Sequence, residues 1–324
     1  MPGQILFFAL RYHGYTDALA AEMEMLGFRV TLVDLQPRNP VYKALRTLLP
    51  GVYRQVQAAH LDRAILAARG QEFAQVVFLQ AHQMRPDQVA RLRSDHPGRR
   101  FALYNWDSLS THDYLEQARF FDAVFTFDPV DATAHGFIHL PVFATRFIQS
   151  LARDRGQPGA VCMIGNLVNP RRYLAVAAFR QEAIRLGLTF RDWLKVTPVV
   201  IWRLLRRGIF PRQVHLVDIP QAIQGEMIET AVAVFDFANH QQSGLTMRVV
   251  EALVAGKKVI TNNPAIRDET FYSADRIHVF DGLDFGHLRS FLATPLTNPD
   301  KRFEALYIQT FTATLLGLPP GAAR

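Results

Sequence analysis

The chain has a single cysteine, Cys162, among its 324 residues. One cysteine excludes a disulfide framework and a cysteine-rich metal site, and it fits a reducing compartment. We expect Cys162 to be a small buried residue in a strand. No apolar run approaches the roughly 18 residues of a membrane-spanning helix. The apolar run at 5–10 has no basic residue before it and is too short for a secretory signal. We therefore expect a cytoplasmic protein that can touch a membrane but not span it.

Several catalytic fingerprints are missing as well. The chain has neither G-x-x-x-x-G-K-[ST] nor G-x-G-x-x-G, the motifs of nucleoside triphosphatases and nicotinamide enzymes, and its eleven histidines form no H-E-x-x-H zinc motif. Lysine is scarce, because only five of the 36 basic residues are lysine. The net charge of +7 therefore comes mainly from arginine, whose planar fork suits phosphate or anionic lipid, although codon bias explains the same composition.

Short apolar runs alternate with longer amphipathic segments. Strands are predicted in two series, at 4–10, 28–34, 75–80, 99–104 and 122–127, and at 160–164, 231–237, 258–261 and 276–280. Helical periods between them are typical of βαβ units on a parallel sheet. A polar, turn-rich stretch, 151–158, separates the two series. We predict an α/β fold of two Rossmann-like domains, 1–150 and 151–324, facing each other across a cleft, with the last helix a candidate to return to the first domain.

Residues 240–261, HQQSGLTMRVVEALVAGKKVIT, carry most of the information. Ser243-Gly244 is predicted to open a helix over 245–255, where exposed N–H groups favour an anion. Gly244, Arg248 and Glu251 are spaced by four and three residues and are predicted to share one helical face. Backbone donors, a guanidinium and a carboxylate in that order suit a diphosphate followed by a ribose diol. The same spacing also fits a simple Arg248–Glu251 ion pair on a solvated face.

The stretch resembles the donor-binding segment of GT-B-type glycosyltransferases. It is more closely similar to a group of bacterial lipopolysaccharide and capsule biosynthesis glycosyltransferases with the pattern Q-[ST]-G-L-T-M-R-x-x-E-A-L-x-x-G-K-K-x-I-T-x-N. Four upstream segments resemble further motifs of that group and occur in the same order, at 104–108 (YNWDS), 127–132 (FDPVDA), 140–143 (LPVF) and 163–165 (MIG). The resemblance implies GT-B architecture and transfer of a sugar from a nucleotide-sugar to a surface glycan. The chain has no D-x-D triplet, so we expect no metal and no other cofactor.

The resemblance places the nucleotide-sugar on the second domain and the catalytic base on the first. The predicted donor contacts are Gly165, His240, Ser243, Gly244, Leu245, Thr246, Arg248 and Glu251. Gly165 is expected to allow a close approach of the donor.

An inverting transfer needs a base for the acceptor proton, and the candidates are Asp107, His13 and Asp17. Asp107 and Asp17 are equally suited to capping a helix, and His13 to an ordinary surface position. Asp128 and Asp131 are expected to order the loop after the fifth strand.

Residues 193–212, WLKVTPVVIWRLLRRGIFPR, are basic and apolar together. Such a segment can lie in a lipid interface or be an ordinary helix with solvated arginines, and 40–55 is a weaker candidate. The expected partners are a nucleotide-sugar, a glycan or lipid-linked glycan acceptor and an anionic membrane surface, with no nucleic acid. A nucleotide-sugar epimerase, which shares the architecture, stays open as an alternative. So does a nucleotide-sugar-binding protein without turnover.

Overall fold

A computed structural model describes residues 3–11, 14–37, 40–238, 243–296 and 301–319. The chain divides into two compact units. Met1–Pro141 and Ile308–Arg324 form the N-terminal unit, and Val142–Tyr307 form the C-terminal unit. Among the described residues, no helix is long and apolar enough to cross a membrane.

The N-terminal unit is built on a six-stranded sheet in the order β2-β1-β3-β4-β5-β6, and every neighbouring pair is parallel. Its strands are β1 (Gln4–Ala9), β2 (Arg29–Asp34), β3 (Gln75–Leu79), β4 (Arg100–Asn105), β5 (Ala123–Thr126) and β6 (Ile138–His139). Its first helices are α1 (Tyr15–Met25), α2 (Pro40–Leu48), α3 (Pro50–Ala68), α4 (Pro86–Asp95), α5 (Leu115–Ala118) and α6 (Pro129–His135). The central strands are buried on both faces, as a sheet covered by crossover helices requires.

The C-terminal unit is built on a five-stranded parallel sheet in the order β11-β10-β9-β7-β8. Its strands are β7 (Ala160–Asn166), β8 (Thr189–Lys195), β9 (Ala233–Phe235), β10 (Lys258–Thr261) and β11 (Ile277–Val279). Its helices are α7 (Arg146–Gln149), α8 (Pro170–Leu186), α9 (Pro198–Leu205), α10 (Gln221–Thr230), α11 (Met247–Val254) and α12 (Leu288–Ala293). Phe179 stacks on Phe235 at 4.2 Å in the centre of its core.

The last described helix, α13 (Ile308–Leu316), belongs to the N-terminal unit. The ring of Phe311 meets that of Tyr104 edge-on at 4.7 Å, and Arg100 donates to the carbonyl of Leu315 at 2.9 Å. The division between the units falls after Pro141, whereas the sequence-based boundary stands at 150/151. Residues 142–151 group with the C-terminal unit because Phe147 packs closely against Gly225 of α10, where a Cβ would lie 3.2 Å from its ring.

The predicted α/β fold of two Rossmann-like domains is confirmed. In each sheet the strand order reverses beside the first strand, between β1 and β3 and between β7 and β9. Such switch points, at the carboxyl ends of the strands, are where open α/β sheets bind ligands. Two strands escaped prediction, the two-residue β6 and the longer β8. β8 lies at the edge of its sheet, where charged residues such as Arg191 and Lys195 mask the apolar alternation.

Candidate functional site

The start of α11 lies in the loop region after β9, next to the switch point of the C-terminal unit. Thr246 is the N-cap, with its hydroxyl accepting from the N–H of Val249 at 3.3 Å, so the helix begins at Met247. The predicted helix began two residues earlier, at position 245. Gly244 precedes the cap and therefore does not lie on the predicted helical face with Arg248 and Glu251.

The guanidinium of Arg248 ties α11 to the ends of two strands. Its Nε donates to the carbonyl of Ile164 in β7 at 2.7 Å, and its Nη1 donates to the carboxylate of Asp236, directly after β9. Gly165 gives the guanidinium room, because a Cβ at that position would overlap it. The Arg248 side chain is only 12% exposed and Asp236 is completely buried. The alternative of a solvated Arg248–Glu251 face does not describe this arrangement, since Glu251 is buried as well.

Asp236 was not predicted from the sequence, yet it is the centre of the site. Besides the ion pair with Arg248, it accepts from the hydroxyls of Thr246 and Thr261, each at 2.9 Å. A buried carboxylate needs partners to offset its lost hydration, and here the start of α11 and the end of β10 supply them. The sequence feature that could have indicated Asp236 is its position directly after the apolar run AVAVF at 231–235.

Two asparagines fix the loops beside Asp236. The amide of Asn263 donates to the carbonyls of Ser243 at 3.1 Å and of Gly244 at 3.2 Å. Asn262 accepts from the N–H of Ala238 at 2.7 Å. Both asparagines follow β10, so the carboxyl end of that strand bonds to the connection between β9 and α11 near its beginning and near its end.

The structure thus brings most of the predicted donor residues to one place. Gly165 and Thr246 lie against the Arg248–Asp236 pair, and Ser243 and Gly244 are bonded to Asn263, two residues after the Thr261 that contacts Asp236. Leu245 is buried beside them. Glu251 and Arg248 line a small cavity with Cys162, Ile164, Ile228, Val234 and Ala252. His240 and His13 lie outside the described residues.

Cys162 is buried in β7, as predicted, and burial raises the pKa of its thiol to about 12. It is therefore a packing residue beside the small cavity, because a thiol with that pKa stays protonated at neutral pH.

The predicted base candidates lie in the N-terminal unit. Asp107 follows β4 and accepts from the side-chain amide of Gln80. The next helix, α5, begins at Leu115 with Tyr114 at its N-cap position, so the capping alternative for Asp107 is wrong. Asp17 is not the cap of α1 either. That position is Gly14, and Asp17 lies in the first turn, where it pairs with Arg11 at 3.5 Å and is 58% exposed.

The two aspartates after β5 have structural partners. Asp128 is the N-cap of α6 and accepts from the N–H of Val130 at 3.0 Å. Asp131 accepts from the N–H of Leu109 at 2.7 Å, and burial raises the pKa of its carboxyl. Asp131 therefore orders the loop that carries Asp107, not the loop after its own strand.

A histidine pair lies beyond the end of β3. The rings of His82 and His112 stack at 4.0 Å, and burial, with a smaller contribution from His112, lowers the pKa of His82 to about 4. The amide of Gln83 donates to Nε2 of His82 at 2.6 Å. His82 is therefore neutral at physiological pH.

Comparison with known proteins identifies the architecture. No protein-family description matches the sequence, and no curated protein matches it. Solved structures do match, and they show that the chain has the GT-B fold.

AviGT4, a glycosyltransferase involved in avilamycin A biosynthesis, superposes with a TM-score of 0.63 at 15% identity, over 98% of this chain and 96% of that one. Anabaena HepE superposes with a TM-score of 0.60 at 14% identity, over 97% and 98% of the two chains. A putative UDP-N-acetylglucosamine 2-epimerase from Listeria monocytogenes gives a TM-score of 0.52 at 11% identity, over 94% and 93%.

Proposed function

We propose that the chain is a glycosyltransferase that moves a sugar from a nucleotide-sugar to a surface-glycan acceptor of the lipopolysaccharide or capsule type, without a metal. The observation that carries the proposal is the ordered start of α11 at the switch point of the C-terminal unit. This segment is also the one that resembles the donor-binding segment of GT-B glycosyltransferases. HepE, which has the same fold, was solved in complex with UDP-glucose, which favours a nucleotide-sugar as the donor.

In this proposal the donor diphosphate lies against residues 243–246, which end at the N-cap of α11. Backbone N–H groups at a helix start stabilise an anion, and they suit a leaving group on which charge grows during the reaction. Asp236 offsets part of the charge of Arg248, so Arg248 acts mainly by holding the start of α11, with its remaining N–H groups as phosphate donors. Glu251 is proposed to accept from the ribose hydroxyls.

The acceptor chemistry is assigned to Asp107. The acceptor oxygen bonds to the anomeric carbon as the bond from that carbon to the diphosphate breaks, and the hydroxyl proton passes to the Asp107 carboxylate. Its position after β4, at the carboxyl end of the N-terminal sheet, supports this role. This step describes an inverting transfer.

An epimerase is the second candidate, because the Listeria structure with the same fold is described as a putative UDP-N-acetylglucosamine 2-epimerase. A thermal-shift screen against UDP-, GDP-, CMP- and dTDP-sugars in EDTA identifies the donor first. The purified protein is then incubated with that donor, with and without oligosaccharide acceptors. Transfer only with acceptor supports the glycosyltransferase. Isomerised sugar in the absence of acceptor would replace the glycosyltransferase assignment by the epimerase. Binding of the donor with neither transferred nor isomerised sugar would indicate a binding protein.

We also propose that α9 and the loop after it, residues 198–212, bind an anionic membrane surface. Val200 and Leu204 bury one face of α9 in a small apolar cluster. The other face exposes Trp202 at 56%, and the loop exposes Phe210 at 73%. Three arginines, Arg203, Arg206 and Arg207, are exposed beside them. Ile209 is half-buried against the apolar cluster and takes no part in this surface.

A further inference from the structure

The backbone of Gln80 is unusual for its residue type. Gln80 directly follows β3 with φ = 69°, in the left-handed region that side-chain-bearing residues seldom adopt. It is also buried, and its N–H donates to the carbonyl of Tyr104 in β4 at 2.8 Å. Strained backbone conformations persist where their surroundings enforce them, and they cluster at functional sites.

The side chain of Gln80 reaches the proposed base. β3 and β4 are parallel neighbours with Leu79 opposite Tyr104, so both carboxyl ends lie at the same edge of the sheet. From the left-handed turn, Nε2 of Gln80 donates to Oδ2 of Asp107. Both the backbone and the side chain of Gln80 therefore hold the segment that leaves β4.

The same segment is held from its other side. The N–H of Leu109 donates to the carboxylate of Asp131 at 2.7 Å. The carbonyl of Ser108 accepts from the N–H groups of Thr111 at 2.9 Å and His112 at 3.0 Å. Asp107 thus stands on a turn with fixed ends, and the Gln80 amide contacts the carboxylate itself.

We propose that Gln80 is a positioning residue whose amide fixes the direction in which the Asp107 carboxylate faces the acceptor hydroxyl. This inference rests on the proposed function, in which Asp107 receives the acceptor proton. A donor on one carboxylate oxygen favours the ionised form, which is the form a base requires. The left-handed backbone is what lets Gln80, at the end of one strand, reach the residue that follows the next.

Gln80→Gly removes the side-chain amide and keeps the left-handed backbone, because glycine adopts a positive φ without steric cost. The matched control is Gln117→Leu. Gln117 is another buried glutamine of the N-terminal unit, whose Nε2 donates to the carbonyl of Met84 at 2.8 Å rather than to Asp107. We expect Gln80→Gly to lower kcat roughly 10- to 100-fold, the scale of a small misplacement of a reacting group. Its donor KM is expected to be unchanged and its Tm no lower than that of the wild type.

The pH profile distinguishes positioning from support of the fold. In Gln80→Gly the acid limb of kcat/KM is expected to move to higher pH, since the charged carboxylate has lost a donor. In Gln117→Leu the Tm is expected to fall without any movement of that limb. A wild-type kcat and pH profile in Gln80→Gly would overturn the proposal. So would a loss of kcat no greater than that of the control.

A second measurement keeps this inference separate from the proposed function. The carbon-13 signal of the Asp107 carboxyl, assigned by its loss in Asp107→Asn, is titrated in the wild type and in Gln80→Gly. A higher midpoint in the variant supports the contact even if the wild type transfers no sugar, in which case only the proposed function fails. Equal midpoints would overturn the role of Gln80 whether or not transfer is observed.

Discussion

The guanidinium of Arg248 occupies the space that a side chain at Gly165 would need. Arg248 and Ile164, the residue before this glycine, are 84 positions apart and joined by the Nε–carbonyl hydrogen bond. Gly165 was expected to allow a close approach of the donor. In the structure, its missing side chain instead allows the arginine of α11 to reach the Ile164 carbonyl and the Asp236 carboxylate.

Gly165→Ala tests this relationship. The added methyl group must displace the guanidinium from at least one of its two partners. We expect the free energy of unfolding to fall by roughly 1–3 kcal/mol, as for other overpacked sites, measured by urea denaturation. Gly51→Ala is the control, because a Cβ there meets nothing within 4 Å. An equally stable Gly165→Ala protein would contradict the tight contact.

The ion pair between Asp236 and Arg248 is expected to make a large contribution to the free energy of unfolding of the C-terminal unit. Asp236→Ala leaves a largely buried guanidinium without its carboxylate, so we expect a loss of about 3–5 kcal/mol in unfolding free energy. The double variant Asp236→Ala/Arg248→Ala is expected to lose less than the sum of the two single variants. Additive losses would show that the pair is energetically unimportant.

Calorimetry with the identified nucleoside diphosphate uses the same Arg248→Ala protein. Binding is expected to weaken by roughly 1.5–3 kcal/mol, the range for hydrogen bonds to charged groups, in buffer without divalent metal. Wild-type affinity in this variant would remove the start of α11 from the donor site. An absolute requirement for magnesium or manganese would refute a metal-free reaction.

Asp107→Asn tests the base. Turnover is expected to fall by roughly 10²–10⁴-fold, the contribution of a positioned acid or base, while donor affinity measured by calorimetry stays the same. Asp87→Asn is the matched control, because it changes an exposed carboxylate in the same unit that pairs with Arg85 and is not a candidate base. Near-normal turnover in Asp107→Asn, together with lost activity in His13→Ala, would move the assignment to His13.

The surface at residues 198–212 is expected to bind vesicles reversibly. Each arginine near an anionic bilayer contributes about 1 kcal/mol, so we expect co-sedimentation with anionic vesicles, none with neutral ones, and release by high salt. Replacing Arg203, Arg206 and Arg207 with glutamine is expected to abolish binding and leave nucleotide affinity intact. Equal sedimentation with neutral vesicles would leave these arginines as an ordinary solvated face.

His82 is expected to make stability depend on pH. Burial lowers its pKa from 6.5 to about 4, so the unfolded chain takes up the proton more readily than the folded one. The free energy of unfolding should therefore fall as the pH falls from about 6.5 to about 4. His82→Phe, which keeps an aromatic ring beside His112, is expected to flatten this slope in urea titrations at several pH values. Parallel curves for the two proteins would contradict the assignment.

The sequence determined the α/β class of both units, most of their strands and the position of the proposed donor segment. Apolar runs buried on both faces of a parallel sheet are continuous and short, so strands such as β1 and β10 can be read directly. The segment before α11 was equally visible, because glycine and a capping threonine precede an apolar helical period. The exact start of the helix could not be predicted from the sequence, since Thr246 and Ser243 are both good caps and only the backbone conformation distinguishes them.

Tertiary structure decided which polar residues meet. Asp236 reaches Thr261 across 25 positions, and Gln80 reaches Asp107 across 27. Neither contact follows a helical or strand period, so no pattern along the chain predicts it. The parallel sheet creates these contacts by bringing the carboxyl ends of distant strands to one edge. A carboxylate or amide buried there must find a partner, and the identity of that partner depends on strand order, which the chain fixes only when it folds.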